Sequence, residues 1–197
     1  DEVRTDWFSL MNHGRFLTAT GNSDSHTVHA EQAGFPLNLV RVAPPATGAA
    51  FDEAGFVDAL ARGAVSVSNG PVVDLRVRTL WQRAEPGGTL RVKQKKVTAQ
   101  VTVQAAPWVP VHEVRLIHNG VVVERVALRE PLSADGRVER GKWSWRVSVQ
   151  EGDWLIAEAG WPESDPAGRP TGVYERIAPG HRPIGFTNPV RLIGDTP

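Results

Sequence analysis

Two residues able to bind a metal ion lie close together near the start of the chain. Asp24 and His26 are separated by one residue in the stretch 21–26, which reads GNSDSH. In an extended chain, residues i and i+2 face the same side, so this carboxylate and imidazole could reach one ion. Both groups are ligands of Zn, Fe and Mn. The spacing is therefore compatible with a partial metal site in which Asp24 and His26 are two ligands.

The neighbouring polar residues are candidates for hydrogen bonds that orient these ligands. They are Asn22, Ser23, Ser25 and His29. Spacing alone leaves an ordinary alternative open, in which Asp24 forms a turn and His26 is a surface histidine. A hydrolytic metal centre also takes about three protein ligands and an open position, so this pair alone does not complete one.

The composition limits the class of protein. The 197 residues are 41% hydrophobic and 22% charged, which is typical of a globular chain with one large or two small domains. Lys plus Arg (22) equals Asp plus Glu (22), which argues against a nucleic-acid partner. The absence of cysteine excludes disulfides and thiolate ligands. No apolar run approaches the roughly 20 residues of a membrane span, so we expect a soluble protein with no membrane partner, its export left open.

Residues 1–70 alternate helix and strand signals, as α/β proteins do. Asp52 is the predicted N-cap of the second helix. Its predicted buried stripe comprises Phe56, Val57, Leu60 and Ala61. The predicted elements are a helix over 3–12 ended by Gly14, strands over 16–20, 37–42 and 65–68, and a helix over 52–62.

From Pro71 onward, apolar and polar residues alternate with period two, which predicts about seven half-buried strands and a β-sandwich. Asn119-Gly120 between two apolar runs predicts a hairpin with a type I′ turn.

Residues 160–183 are predicted to form a long loop, and His181 within it could fold back towards the metal site. Trp143 and Trp145 on one strand face indicate core packing, with a carbohydrate or peptide platform as the alternative. The run Lys93, Lys95 and Lys96 indicates a solvated face or a guarded edge strand.

Several stretches together resemble the closing segment of the PHP superfamily of metallohydrolases, and within it the CehA/McbA-like branch. The resemblance touches most of the chain and is most specific in residues 6–26 and 65–71. It is carried by residues 6–12 (DWFSLMN), 18–26 (TATGNSDSH), 35–36 (FP), 51–60, 67–71 (VSNGP) and 186–189 (FTNP).

The resemblance implies a distorted barrel of seven β/α units that binds up to three divalent ions (Zn, Mn or Fe). Its last motif maps onto Asp24 and His26, which would then be metal ligands. It also implies that residues 1–70 are the C-terminal segment of that barrel, and that residues 71–197 are an accessory, immunoglobulin-like β-sandwich. The chain would be the C-terminal portion of a longer hydrolase of phosphoesters or of carbamate or carboxyl esters. The upstream barrel segment would be its partner, and the chain alone would be inactive.

The sequence leaves two other hypotheses open. The chain could be a non-catalytic β-sandwich module for binding, with a remnant of the barrel attached. It could also self-associate through the barrel strands, because unpaired strand edges and apolar faces favour pairing with a second chain.

Overall fold

The computed structural model describes residues 2–27, 33–44, 47, 50–93, 95–128, 139–165 and 167–194. The helices are α1 (Glu2–Asn12), α2 (Glu53–Ala61) and α3 (Val173–Ile177). The strands are β1 (Leu37–Val40), β2 (Val65–Ser68), β3 (Val72–Arg78), β4 (Arg83–Ala84), β5 (Thr89–Arg91), β6 (Lys96–Gln104), β7 (Glu113–His118), β8 (Val121–Ala127), β9 (Glu139–Ser148), β10 (Trp154–Gly160), β11 (Ile184–Thr187) and β12 (Val190–Ile193).

The strands form two sheets, as the alternating pattern predicts. The smaller sheet has the order β4-β3-β6-β9 and is antiparallel throughout. In the larger sheet, β10 pairs with β7 on one edge and with both β11 and β12 on the other. That sheet continues through β8 beyond β7, through β2 and β1 beyond β11, and through β5 beyond β12. Only the β12–β5 pair is parallel among the described pairings.

The main hydrophobic core lies between the two sheets. Alternate residues of β3 and β6 point inward, and Leu75 and Val101 are fully buried. They meet the inward side chains of the larger sheet, such as Leu116 and Leu155. Trp143 packs against this core from β9, as does Trp145, which supports the core-packing interpretation. The chain is thus a mostly-β protein built as a two-sheet sandwich.

Helix α1 covers the outer face of the larger sheet. Phe8 and Met11 of α1 pack on Trp154 and Ile156 of β10 and on Ile117 of β7. The helix lies where predicted and ends before Gly14, which adopts a positive φ of 76°. The molecule therefore has three layers here, with α1, the larger sheet and the smaller sheet stacked in that order.

A cluster of charged side chains joins α1, β7 and β10. Arg115 of β7 contacts Glu113 at 2.9 Å and Glu158 of β10 at 3.1 Å, and all three residues are almost fully buried. Arg4 of α1 approaches Glu158 at 3.0 Å and Glu163 at 2.7 Å. Burial raises the pKa of the Glu158 carboxyl, and the guanidinium groups of Arg4 and Arg115 offset that only in part.

The local turn and cap predictions are confirmed. Asn119 and Gly120 have φ of 51° and 88°, as a type I′ turn requires, and they join β7 to β8. Asp52 caps α2, and its carboxylate accepts a hydrogen bond from the Gly55 amide at 2.9 Å. A Cβ on Gly55 would meet that carboxylate at 2.3 Å, which explains the glycine inside the helix.

Several predictions for residues 1–70 are wrong, because the outcome depends on contacts with distant parts of the chain. Residues 16–20 form no strand. The predicted stripe of α2 is right only in part, because Phe56 and Leu60 are half-buried whereas Val57 is 55% exposed and Ala61 is exposed. The fully buried residue of α2 is Ala59. The two strands of this region pair antiparallel with each other, and β2 pairs with β11. They therefore extend the large sheet of the sandwich, and no barrel is seen among the described residues.

The segment 160–183 is also more ordered than the loop expected from its composition, since it contains α3. Tyr174 of α3 is buried in the main core, and its hydroxyl donates to the Asn69 carbonyl at 3.0 Å. Among the described residues, no helix has the length and apolar character needed to cross a membrane.

Candidate functional site

The GNSDSH stretch belongs to the segment 15–27, which follows α1 and forms neither helix nor strand. The backbone groups of Ala19 and Gly21 in this segment hydrogen-bond to side-chain amides and not to a neighbouring strand. The side chain of Asn188 accepts a hydrogen bond from the Ala19 amide at 2.8 Å and donates one to the Ala19 carbonyl at 2.9 Å. The side chain of Asn38 in β1 likewise accepts a hydrogen bond from the Gly21 amide at 2.9 Å and donates one to the Gly21 carbonyl at 2.8 Å. The two asparagines therefore replace the strand partner that the β-favouring run 16–20 would otherwise need.

Close packing fixes the position of Gly21. A Cβ there would lie 2.3 Å from Cγ1 of Val67 and 3.2 Å from the Pro36 ring. Val67 is buried in β2, so a larger residue at position 21 would displace the segment from the sheet. The base of the candidate loop is therefore anchored, which favours a defined position for the residues that follow.

Asp24 and His26 lie beyond this anchored base, side by side and facing solvent. Nε2 of His26 is 3.8 Å from Oδ1 of Asp24, and the two side chains are 71% and 91% exposed. Asp24 has a φ of 50°, a left-handed conformation that aspartate tolerates better than most residues. The structure thus brings the two predicted ligands together, at a turn and not on a regular strand.

The neighbouring polar residues have other partners. Asn22 accepts from Nδ2 of Asn38 at 3.0 Å, and Ser23 accepts from the Gly34 amide at 3.3 Å. Both contacts brace the loop against β1 and the turn before it. Ser25 is exposed, and His29 lies outside the described residues.

A third ligand is not found in the described part of the chain, which contains no group of three His, Asp or Glu side chains able to hold an ion. His181 does fold back towards this region, because its ring stacks edge-on against Phe35 at 5.8 Å. Phe35 precedes Pro36, which packs beside Gly21. His181 thus borders the region that contains the loop without joining Asp24 and His26 in a cluster.

Exposed apolar side chains lie on β1, on the face opposite the one that holds Gly21, and next to α2. Leu37 and Leu39 are 41% and 39% exposed on one face of β1, and Phe51 is 70% exposed next to α2. Among the described strands, β1 pairs with β2 alone, so its other edge is open. This part of the surface is suited to contact with further protein.

Sequence reasoning missed both asparagines that hold the segment. Asn38 is the one polar residue of β1, which reads LNLV, and a polar residue in such a run was the available signal. Asn188 is fully buried and contributes to the FTNP stretch of the resemblance. Its role depends on a contact between residues 169 positions apart, which local patterns do not reveal.

Replacing Asn38 by alanine is expected to free the loop at its base while the fold persists. The substitution removes the acceptor for the Gly21 amide and two donated hydrogen bonds, with an expected cost of about 1–3 kcal/mol. Amide hydrogen exchange measures this site by site. The Gly21 amide should exchange faster, whereas the Ala19 amide, held by Asn188, serves as the control and should keep its protection. Unchanged exchange at Gly21 would contradict the role given to Asn38.

The fold and site define a mostly-β, two-sheet sandwich that presents an anchored loop with an exposed Asp and His. Comparison with models of known protein families, with curated proteins and with solved structures finds no match to this chain.

Proposed function

We propose that this chain contributes Asp24 and His26 to the divalent-metal site of a hydrolase of the PHP type. The observation that carries the proposal is the pairing of these two side chains on a loop whose base is clamped to the sheet. In this proposal the remaining ligands come from a barrel segment of the same polypeptide that docks beside residues 1–70.

The two side chains fit a metal ion as a partial ligand set. Ligands about 2.1 Å from a tetrahedral ion lie about 3.4 Å from each other. Oδ1 of Asp24 and Nε2 of His26 are 3.8 Å apart, so a small side-chain rotation suffices. Asp24 would supply negative charge, and His26 would bind through one neutral ring nitrogen. A divalent ion held there would act as a Lewis acid and lower the pKa of a coordinated water.

Apolar side chains exposed on β1 and next to α2 support the presence of a further segment. Leu37, Leu39 and Phe51 leave apolar area in solvent, and β1 has an open edge among the described strands. Burial of apolar surface contributes about 25 cal/mol per Å², so docking of another element here would be favourable. The substrate class in this proposal is a phosphoester or a carbamate or carboxyl ester.

Asp24→Ala and His26→Ala are expected to lower metal affinity at least about 100-fold in the longer polypeptide, because each removes a direct ligand. Hydrolysis of phosphoester and carboxyl-ester substrates should fall with it. Metal content after gel filtration, measured by mass spectrometry, and steady-state kinetics check both effects. Asp58→Ala and His13→Ala remove an exposed carboxylate and imidazole of the same region and serve as controls.

The chain alone is expected to bind divalent ions weakly and to hydrolyse neither ester class. Adding the barrel segment should restore both properties. Tight stoichiometric binding by the chain alone would contradict the proposal, as would full activity of the longer polypeptide carrying both substitutions.

A further inference from the structure

The turn between β3 and β4 exposes two large apolar side chains at one end of the sandwich. Leu80 is 76% exposed and Trp81 is 89% exposed. The turn is not loose, because the Thr79 hydroxyl accepts from the Gln82 amide at 3.1 Å and the Trp81 amide at 3.3 Å. The Thr79 amide also donates to the Gln82 carbonyl at 2.9 Å. Hydrogen bonds therefore hold the backbone of this turn in place, while the leucine and tryptophan side chains remain in water.

Basic residues flank this tip on both sides. Arg78 and Arg83 are paired directly across the hairpin, and both are exposed. Like charges at directly opposed positions destabilise a hairpin, so folding alone does not account for the pair. An anionic surface at the tip would attract both side chains and offset the repulsion between them.

Three lysines lie at the same end of the molecule. Arg78 is in register with Thr98 of the neighbouring strand β6, and Lys96 lies two residues further towards the tip. Adjacent strands are about 4.8 Å apart, so Lys96 lies close to the level of the turn. Lys93 and Lys95 are exposed in the connection that precedes it. These three lysines also line a groove of about 670 Å³.

The charge at this end is strongly basic. Carboxylates of Glu151 and Asp153 line the same groove, but Asp153 is already engaged by His118 at 2.8 Å and Asn119 at 2.7 Å. The ion pairs found among the described residues do not involve Arg78, Arg83, Lys95 or Lys96. The net charge of the whole chain is zero, so this end is basic because the fold brings basic residues together there and not because the chain has an excess of them.

We propose that this end of the sandwich binds an anionic lipid surface, with Leu80 and Trp81 entering the interface and Arg78, Arg83 and Lys96 contacting headgroups. Tryptophan favours the membrane–water interface, and basic residues favour an anionic leaflet. A stable protein interface buries about 800 Å² on each partner, far more than a two-residue tip offers, whereas a lipid surface needs no complementary shape. Such peripheral binding requires no spanning segment and uses none of the residues of the candidate metal site, which lies beside β1 and β2 of the larger sheet.

The chain contains no cysteine, so one introduced thiol reports on one position without background. Leu80→Cys, labelled with an environment-sensitive fluorophore, should show a blue shift with vesicles of phosphatidylcholine containing about 30% phosphatidylserine, and little with phosphatidylcholine alone. Trp108→Cys is the matched control, because Trp108 is 51% exposed in the loop that follows β6, at the opposite end. Its label should not respond.

Co-sedimentation of the full chain with the same vesicles tests the contributing residues. Arg78→Gln and Arg83→Gln should each weaken binding about fivefold, and added salt should weaken it further because it screens the charges. The double variant Leu80→Ser with Trp81→Ser should weaken binding by roughly tenfold or more, whereas Trp108→Ser should not. Equal binding to neutral and anionic vesicles would overturn the proposal, as would an unchanged double variant. Self-association without lipid that the double variant abolishes would instead assign the tip to a second copy of the chain.

Discussion

Arg115→Ala is expected to lower the free energy of unfolding by about 3–5 kcal/mol, because it removes the central cation from a buried group of charges. Arg115 is 2% exposed and contacts the carboxylates of Glu113 and Glu158, which are also almost fully buried. Each carboxylate keeps one arginine in the variant, Arg4 for Glu158 and Arg125 for Glu113. Those arginines are partly exposed and do not replace the lost contacts, so we expect the lower part of the range.

Urea unfolding followed by circular dichroism measures this effect, and two further variants separate its causes. Arg115→Met keeps most of the aliphatic volume but removes the charge, so it should be destabilised nearly as much as the alanine variant. Arg62→Ala removes an exposed i,i+4 pair with Asp58 and should cost about 0.5 kcal/mol or less. Near-wild-type stability of Arg115→Met would show that packing, and not charge, explains the loss.

Trp154→Ala is expected to cost about 3–5 kcal/mol and to loosen α1 from the sheet. Trp154 is fully buried, and its ring lies 5.2 Å from that of Phe8 in α1. Its indole nitrogen donates to Oδ1 of Asn12 at 2.9 Å. An isolated helix of 11 residues is marginal in water, so α1 depends on this contact for its stability.

Thermal unfolding and hydrogen exchange of the α1 amides check this expectation. Trp154→Phe keeps an aromatic ring and loses the hydrogen bond, and should cost about 1–2 kcal/mol. Trp81→Ala is the exposed control and should leave the unfolding midpoint unchanged. If α1 keeps its protection in Trp154→Ala, the helix is held by other contacts, such as those of Arg4.

These two predictions bear on the candidate site because α1 leads directly into it. The segment that follows α1 is held at Ala19 and Gly21, and Asp24 and His26 come next. A loosened helix would therefore move the start of a segment whose later part is still clamped. Comparing amide hydrogen exchange of residues 24–26 in Trp154→Ala and Asn38→Ala would show which end of the segment determines the position of Asp24 and His26.

Features that depend on local conformation and periodicity could be predicted from the residues alone. Alternation along β3, β6 and β9 predicted a sandwich, because residues i and i+2 of a strand face one side. Asn119 and Gly120 determined a hairpin turn, since few residue pairs tolerate two positive φ angles. Asp52 marked the start of α2 through its short side chain, which can accept from the first turn.

The pairing of distant segments could not be predicted in this way, because it depends on contacts that form only in the folded chain. The run 16–20 has strand-forming residues, but side-chain amides of Asn188 and Asn38 bind the segment where a strand was expected. Likewise β2 is part of the sandwich because it pairs with the edge of β11, a strand more than a hundred residues away in the sequence. The proximity of Asp24 and His26 was local and could be read from spacing. The anchoring that holds them, and the Leu80–Trp81 tip with its basic surroundings, come from contacts and register between distant strands, which no local pattern specifies.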